Sequence, residues 1–281
     1  MTLTQHEIAQ TVQTKDWKLR YYEAGEGHPV VLLHGSGPGA TGWSNYSDNI
    51  EALSRHFHVY AVDLPGWGDS DPADFATLDH VDAAIQFLDA VGIDQAAFVG
   101  NSMGGQTAIR LATTHPDRIS HLVTMGAPMS RGQSMFAPND GPSEGIKILV
   151  QTYRDASAAN MRRLVEIMVY DKGRFATDEL CQARSDAANT RPDHLTNFVT
   201  GLPDGAPIPI WTKLDSLAKI AVPTLIIHGR DDRVVPFENS LRLLTSVPDS
   251  RMVLMNRCGH WAQIEHAPEF NRLVTDFLKN N

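Results

Sequence analysis

The stretch that decides the fold is AAFVGNSMGGQTAIRLA, residues 96–112. Small and apolar residues run into Gly100-Asn101-Ser102-Met103-Gly104, and an amphipathic helical pattern starts at once. A serine with glycines two before and two after it, at the abrupt join of a buried strand and a helix, has the form of a nucleophile elbow. The turn drives the serine backbone into a strained region, and the small neighbours let strand and helix approach closely. Its hydroxyl then stands at a helix N-terminus, where backbone N–H groups favour developing negative charge. The same pentapeptide also occurs where a serine merely caps a helix. The strand-turn-helix setting selects the catalytic reading.

Outward from the elbow, apolar runs ending in glycine or polar turns alternate with helical patterns. EIAQTVQT and WKLRYYEAG read as two antiparallel strands joined at Lys15 and Asp16. Buried strands follow in HPVVLLHG, HVYAVDLPG, AAFVGNS and SHLVTMGAP, separated by the helical WSNYSDNIEALSRH, DHVDAAIQFLDAVG and GGQTAIRLATTHP. This β-α-β alternation predicts a mostly parallel sheet with helices on both faces. From about Met129 to Leu217 the pattern is helical, and strands resume with VPTLIIHG and SRMVLMNRCGH, eight in all. The expected organisation is a core over residues 1–130 and 217–281, split by a helical cap over 131–216 that overlies the strand ends, where open α/β sheets place their sites.

Composition narrows the function classes. The 281 residues carry a net charge of −9 with no basic cluster, which argues against nucleic acid and anionic membrane. No apolar run reaches the length of a membrane span, and the first twenty residues lack a signal-peptide pattern. Two isolated cysteines, Cys181 and Cys258, fit a reducing compartment and supply neither a disulfide framework nor a cysteine metal site. The expectation is a cytoplasmic protein, and an anionic substrate would need its own local cation.

A nucleophilic serine needs a base, and the base an orienting acid. Of twelve histidines, His260 in CGHWAQ directly follows the last strand, where a loop can return its imidazole to the elbow. His6, His28, His56, His58 and His80 precede the elbow; His115, His121, His194, His228 and His266 read as ordinary core or surface residues. His56-Phe57-His58 lacks a third metal ligand and reads as a strand start. For the acid, HGRDDRVVP offers Asp231 and Asp232, with Asp232 preferred as the fourth residue of a Gly-x-x-Asp turn. The order Ser102, Asp232, His260 is that of α/β-hydrolases. Asp63 precedes the nucleophile and reads as structural. The glycine-rich HGSGPG from His34 lets backbone amides approach a ligand, so Ser36 and Met103 N–H are the expected oxyanion donors. A phosphate loop is excluded, because no Gly-Lys-Ser/Thr ending is present.

HGSGPGATGWSNYSDNI, GNSMGG, MFAPNDGPSEGIK, GRDDRVVP and CGHWAQIEHAPEFNRLV together resemble the meta-cleavage product hydrolases, carbon–carbon bond hydrolases of bacterial aromatic catabolism, over nearly the whole chain. The resemblance implies hydrolysis of a 2-hydroxy-6-oxo-hexa-2,4-dienoate bearing some 6-substituent, giving 2-hydroxypenta-2,4-dienoate and a carboxylic acid. It assigns Ser102, Asp232 and His260 as the triad and Arg184 as the grip on the dienoate carboxylate. Asn101, Trp261, Asn45, Ser36 and Gly37 become pocket positions. It implies no metal and no organic cofactor, a small anionic substrate as partner, and a homodimer or larger assembly. Arg184 suits that role as a planar, permanently charged fork. Without the resemblance it reads as a solvated helix arginine, Trp261 as core and Asn101 as a turn residue. Ile146, Leu149, Val150, Leu164, Met168, Val169 and Phe198 are candidates for the 6-substituent pocket, though their helical spacing also suits the core of the cap. Two rival readings share the scaffold: a carboxylesterase or lactonase, and a non-catalytic ligand receptor. Neither the 6-substituent nor the choice between acyl-enzyme and gem-diol routes is fixed by the sequence.

Overall fold

The computed structural model describes residues 3–128, 142–201 and 214–281. Within them eight strands form one sheet in the order β1-β2-β4-β3-β5-β6-β7-β8. These are β1 (Ala9–Gln13), β2 (Lys18–Ala24), β3 (Pro29–Leu33), β4 (His58–Val62), β5 (Ala96–Asn101), β6 (Ile119–Met125), β7 (Thr224–Gly229) and β8 (Ser250–Met255). β1 and β2 run antiparallel to their neighbours, and every pairing from β4 to β8 is parallel. The opening hairpin and the parallel remainder agree with the sequence reading.

The helices are α1 (Gln5–Ile8), α2 (Gly42–Ser54), α3 (His80–Ala90), α4 (Met103–Thr114), α5 (Glu144–Arg154), α6 (Ala158–Met168), α7 (Lys172–Phe175), α8 (Asp178–Asn189), α9 (Pro192–Thr200), α10 (Glu238–Ser246), α11 (Ala262–Glu265) and α12 (Ala267–Asn280). β5 and β7 are buried at every position, as strands covered on both faces must be. Alternation along β3 divides the core. Val30 and Leu32 join the apolar cluster under α2 and α12, while Val31 and Leu33 join the one that includes α3 and α4.

Helices α5 to α9 lie in the chain between β6 and β7. Their buried residues Leu149, Tyr153, Met161, Leu164, Val165 and Phe198 belong to the same cluster as Val31, Leu33, Trp67 and Met103. The insertion therefore shares a core with the sheet, and each buried leucine there contributes about 1.5–3 kcal/mol. Of the residues expected around the 6-substituent, Leu149, Leu164, Met168, Val169 and Phe198 are part of that cluster, with Ile146 packed against it. The expected boundary at 130/131 lies outside the described residues. The one at 216/217 falls within the short 3-10 helix Leu214–Lys219, and Leu217 is already core.

Candidate active site

Each expected catalytic residue stands just beyond the C-terminal end of a strand: His34–Gly39 after β3, Ser102 after β5, Asp232 after β7 and His260 after β8. Ser102 has φ 52° and ψ −114°, a left-handed backbone that costs a residue with a β-carbon about 1–3 kcal/mol. Its surroundings hold it there. The Ser102 amide donates to Met125 O at 2.7 Å, and Gln106 N donates to Ser102 O at 2.9 Å. The flanking glycines are steric necessities. A Cβ at Gly104 would lie 2.2 Å from Leu33 O, and one at Gly100 would lie 2.4 Å from the Gly104 backbone.

Asp232 is buried and accepts four hydrogen bonds. Oδ1 takes the Val234 and Val235 amides at 2.8 and 2.9 Å. Oδ2 takes His260 Nδ1–H at 2.7 Å and His228 Nε2–H at 3.1 Å. Because a carboxylate only accepts, both rings must present N–H to it. His228 Nδ1 and Ser240 Oγ share a hydrogen bond at 2.6 Å. Burial pushes the Asp232 pKa up, but the nearby His260 and the hydrogen bond from His228 outweigh it and hold the carboxyl below the usual range. Asp231, the other candidate, pairs with Arg230 at 3.6 Å, as a turn residue would.

His260 is fixed through its backbone as well. Its amide donates to Met168 O at 2.7 Å, and its carbonyl accepts from Asn101 Nδ2 at 3.2 Å. The imidazole lies against Gly126, where a Cβ would fall 2.8 Å from Cε1 and Nδ1. Since Ser102 N is bonded to Met125, the residue before Gly126, the Ser102 backbone and the His260 imidazole meet at the end of β6. Among the described residues Ser102 Oγ has no hydrogen-bond partner, and such contacts commonly tighten only around substrate.

The loop after β3 is tied down by hydrogen bonds. His34 Nδ1–H donates to Gly35 O at 2.8 Å and Nε2 accepts the Leu64 amide at 3.0 Å, so the ring is neutral; burial pushes its pKa down to about 4. Gly37 O accepts the Ala40 amide at 3.0 Å, closing the turn. Tyr153 Oη, on α5, donates to Ser36 O at 2.7 Å and accepts Trp67 Nε1–H at 2.9 Å. Neither the Ser36 nor the Met103 amide has an acceptor among the described residues.

Arg184, on α8, lies over the Trp261 ring, 4.5 Å from its centroid. Its Nη2 donates to Ser44 O at 3.4 Å, its buried Nε has no partner, and among the described residues no carboxylate pairs with it. Burial pushes its pKa down to about 10, so it stays charged at neutral pH. Asn45 Nδ2 is engaged with Thr41 O at 3.2 Å at the start of α2. Asn101 Oδ1 is buried and unpartnered, close to Gly35. Asp63 is structural, as read: its carboxylate takes the Gly42 and Asp69 amides. His58 pairs with Glu23 and His56 with Lys279, and among the described residues no group of three or more His, Cys, Asp or Glu could hold a metal ion.

His228, Tyr153 and Glu265 have structural parts that sequence reading missed. His228 carried a usable signal, a histidine four residues before the acid at a buried strand end. For Tyr153, which reaches Ser36 across 117 positions, there was none.

The strand order and the strained serine turn define an α/β hydrolase, and residues 28–267 match the family described as the alpha/beta hydrolase fold. The chain is 44% identical over 278 residues to the 2-hydroxy-6-oxononadienedioate/2-hydroxy-6-oxononatrienedioate hydrolase of Cupriavidus pinatubonensis, covering 96% of this chain and 94% of that protein. It is 41% identical over 268 residues to the 2-hydroxy-6-oxo-6-phenylhexa-2,4-dienoate hydrolase of Comamonas testosteroni, covering 94% and 92%. The solved meta-cleavage product hydrolase CumD of Pseudomonas fluorescens, a serine-to-alanine mutant complexed with acetates, superposes with a TM-score of 0.88 at 34% identity, covering 98% of both chains. The chain belongs to the meta-cleavage product hydrolases of the α/β-hydrolase fold.

Proposed function

We propose that the protein hydrolyses a 2-hydroxy-6-oxo-hexa-2,4-dienoate bearing a 6-substituent, adding water across the bond between carbons 5 and 6. The products are 2-hydroxypenta-2,4-dienoate and the carboxylic acid that carries the substituent. The observation that carries the reading is Arg184, a guanidinium with a buried, unpartnered Nε, stacked on Trp261 beside His260 and with no carboxylate partner among the described residues. A cation so placed is stabilised by an anionic ligand, and a bidentate carboxylate fits the fork. Names of relatives support the substrate class, both aliphatic dienedioate and phenyl dienoate.

In this mechanism Arg184 anchors the dienoate carboxylate, and Asn101 Oδ1 is an acceptor for the 2-hydroxyl. His260, oriented by Asp232, relays a proton so that the dienol becomes a keto form, which makes the departing carbon an electron sink. Ser102, or a water activated by the same imidazole, then adds to the 6-carbonyl. The Ser36 and Met103 amides receive the oxyanion. His260 returns its proton to the departing carbon as the carbon–carbon bond breaks, and on the serine route a water deprotonated by His260 then hydrolyses the acyl-enzyme to release the acid and restore Ser102.

The same proposal makes residues 131–216 a cap over the site. It makes the protein cytoplasmic, consistent with free Cys181 and Cys258 and with no described helix long and apolar enough to cross a membrane. A homodimer or larger assembly is part of it, which light scattering tests. The deciding experiment is stopped-flow absorbance with 6-methyl and 6-phenyl dienoates. Fast bleaching of the dienolate is expected. Brisk hydrolysis of an aryl ester with neither dienoate consumed would leave a carboxylesterase.

A further inference from the structure

Glu265 closes α11 five residues after His260, and its carboxylate is buried. Oε1 accepts the Gly259 amide at 2.6 Å, while Oε2 accepts the Tyr170 and Asp171 amides at 2.8 and 3.2 Å. Among the described residues no Lys or Arg pairs with it. Its charge is met by backbone amides from two segments, the loop after β8 and the connection between α6 and α7. Those segments also touch directly. A Cβ at Gly259 would lie 2.4 Å from Met168 O, the carbonyl that accepts the His260 amide at 2.7 Å.

We propose that Glu265 is a positioning residue that staples the insertion to the catalytic loop and so fixes the aim of His260, an inference that rests on the triad reading above. The staple grips the residue before His260 on one side. On the other it grips the two residues that follow Val169, next to Met168. His260 must stay on Asp232 Oδ2 while moving protons between substrate and nucleophile, and a shift of about 1 Å at such a group costs on the order of 10²-fold. Only a carboxylate can serve, because all three facing groups are donors and both oxygens must accept. A glutamine of the same shape turns its NH₂ toward one of the two segments and releases it.

The test compares Glu265→Gln with Tyr170→Pro, which deletes one of the three donors. Val169, at φ −118° and ψ 155°, already has the backbone that a residue before proline adopts. Three quantities are read: kcat and KM on a dienoate, the rate at which a fluorophosphonate labels Ser102, and the melting temperature. For Glu265→Gln the expectation is a fall of roughly 10- to 100-fold in kcat and in labelling rate. KM should hold within about twofold, because Arg184 and Asn101 are untouched. Tyr170→Pro should move the same two rates in the same direction by less. Wild-type kcat and labelling in a folded Glu265→Gln protein would overturn the proposal, even with a lowered melting temperature, since a purely structural tie predicts that pattern. A loss confined to KM would overturn it too. Should Glu265→Gln not fold, Tyr170→Pro decides alone by the same criteria. If the wild type labels but consumes no dienoate, the substrate reading fails, and the labelling ratio still decides on Glu265.

Discussion

In the proposed site, strand ends of the sheet supply Ser102, Asp232, His260 and the amides of Ser36 and Met103, whereas the described part of the insertion supplies Arg184 and hydrogen bonds to backbone the sheet has already placed. The sheet's groups sit on turns where a single extra methyl would collide with main chain, as at Gly100 and Gly104. Those of the insertion reach across on long side chains: Tyr153 to Ser36, Arg184 to Ser44 and Arg191 to Gly68 and Ser70. In the proposed mechanism the rigid half defines which bond can react, and the half with reach defines what is held there and how steadily. Changes in the sheet should therefore fall on kcat. Changes in the insertion should fall on KM at Arg184 and, more gently, on kcat where a side chain braces core backbone.

The sharpest test is Ser102→Ala, which should lower kcat by roughly 10⁴-fold or more while binding persists, as expected when one member of a unit that acts together is removed. Stopped-flow traces that still bleach the dienolate would show His260 performing the proton relay without the serine. Equal loss of substrate binding and turnover would break the division between the two halves.

The second test is pH. His34 and His80 in the core and His194 in the insertion have pKa values pushed down by burial, to about 4, 3 and 4. Below their unfolded value near 6.5 the unfolded chain binds protons that the native state refuses, so stability falls as pH drops toward 4. Each group costs about 1.4 kcal/mol per pH unit over that window. Asp63, pushed up by burial to about 7, runs the other way and offsets part of this loss. The net expectation is a melting temperature that drops steeply from pH 6.5 to 4. Because the two halves share one hydrophobic cluster, they should melt in a single transition. Separate acid transitions would show an independent cap.

Arg184→Gln comes third. Losing charge-assisted hydrogen bonds of about 1.5–3 kcal/mol should raise KM roughly 10- to 150-fold, with kcat changed much less. Hydrolysis of an uncharged aryl ester by the same variant should be unaffected. If ester and dienoate suffer alike, Arg184 is holding the fold together and the binding role fails.

The halves also differ in how far they could be read from sequence. Ser102, the Gly-x-x-Asp turn ending at Asp232 and the loop at Ser36 are each written in a few adjacent residues, because a strained turn needs particular neighbours. Strand number and direction followed from the same local periodicity. Arg184 was visible only through family resemblance, since helix spacing around it fits a solvated side chain equally well. Tyr153 and Glu265 left no local mark. Their partners lie 117 and as many as 95 positions away, and only the packing of α5 and α6 on the sheet brings them together. His228 reads from sequence as an ordinary core or surface residue, because nothing in a strand end says which neighbour its ring will face.

The smallest effect predicted is the one that probes where the two halves meet. Tyr153 belongs to the insertion, is stacked on Phe198 with ring centroids 3.7 Å apart, and gives its hydroxyl to the carbonyl of Ser36 in the core. Burial raises its pKa, so it is a phenol that donates. Tyr153→Phe keeps the ring and its stack but strands two buried groups, Ser36 O and Trp67 Nε1–H. The cost should be about 1–3 kcal/mol of stability. Its catalytic effect should be a fall in kcat of roughly 2- to 10-fold, because the peptide next to the expected oxyanion donor loses its tether. KM should stay near the wild-type value. That pattern would show a side chain of the insertion acting on the rate through core backbone, and so qualify the division. If melting temperature falls but kcat holds, the β3 loop keeps its aim without help, and the oxyanion site is the work of the sheet alone.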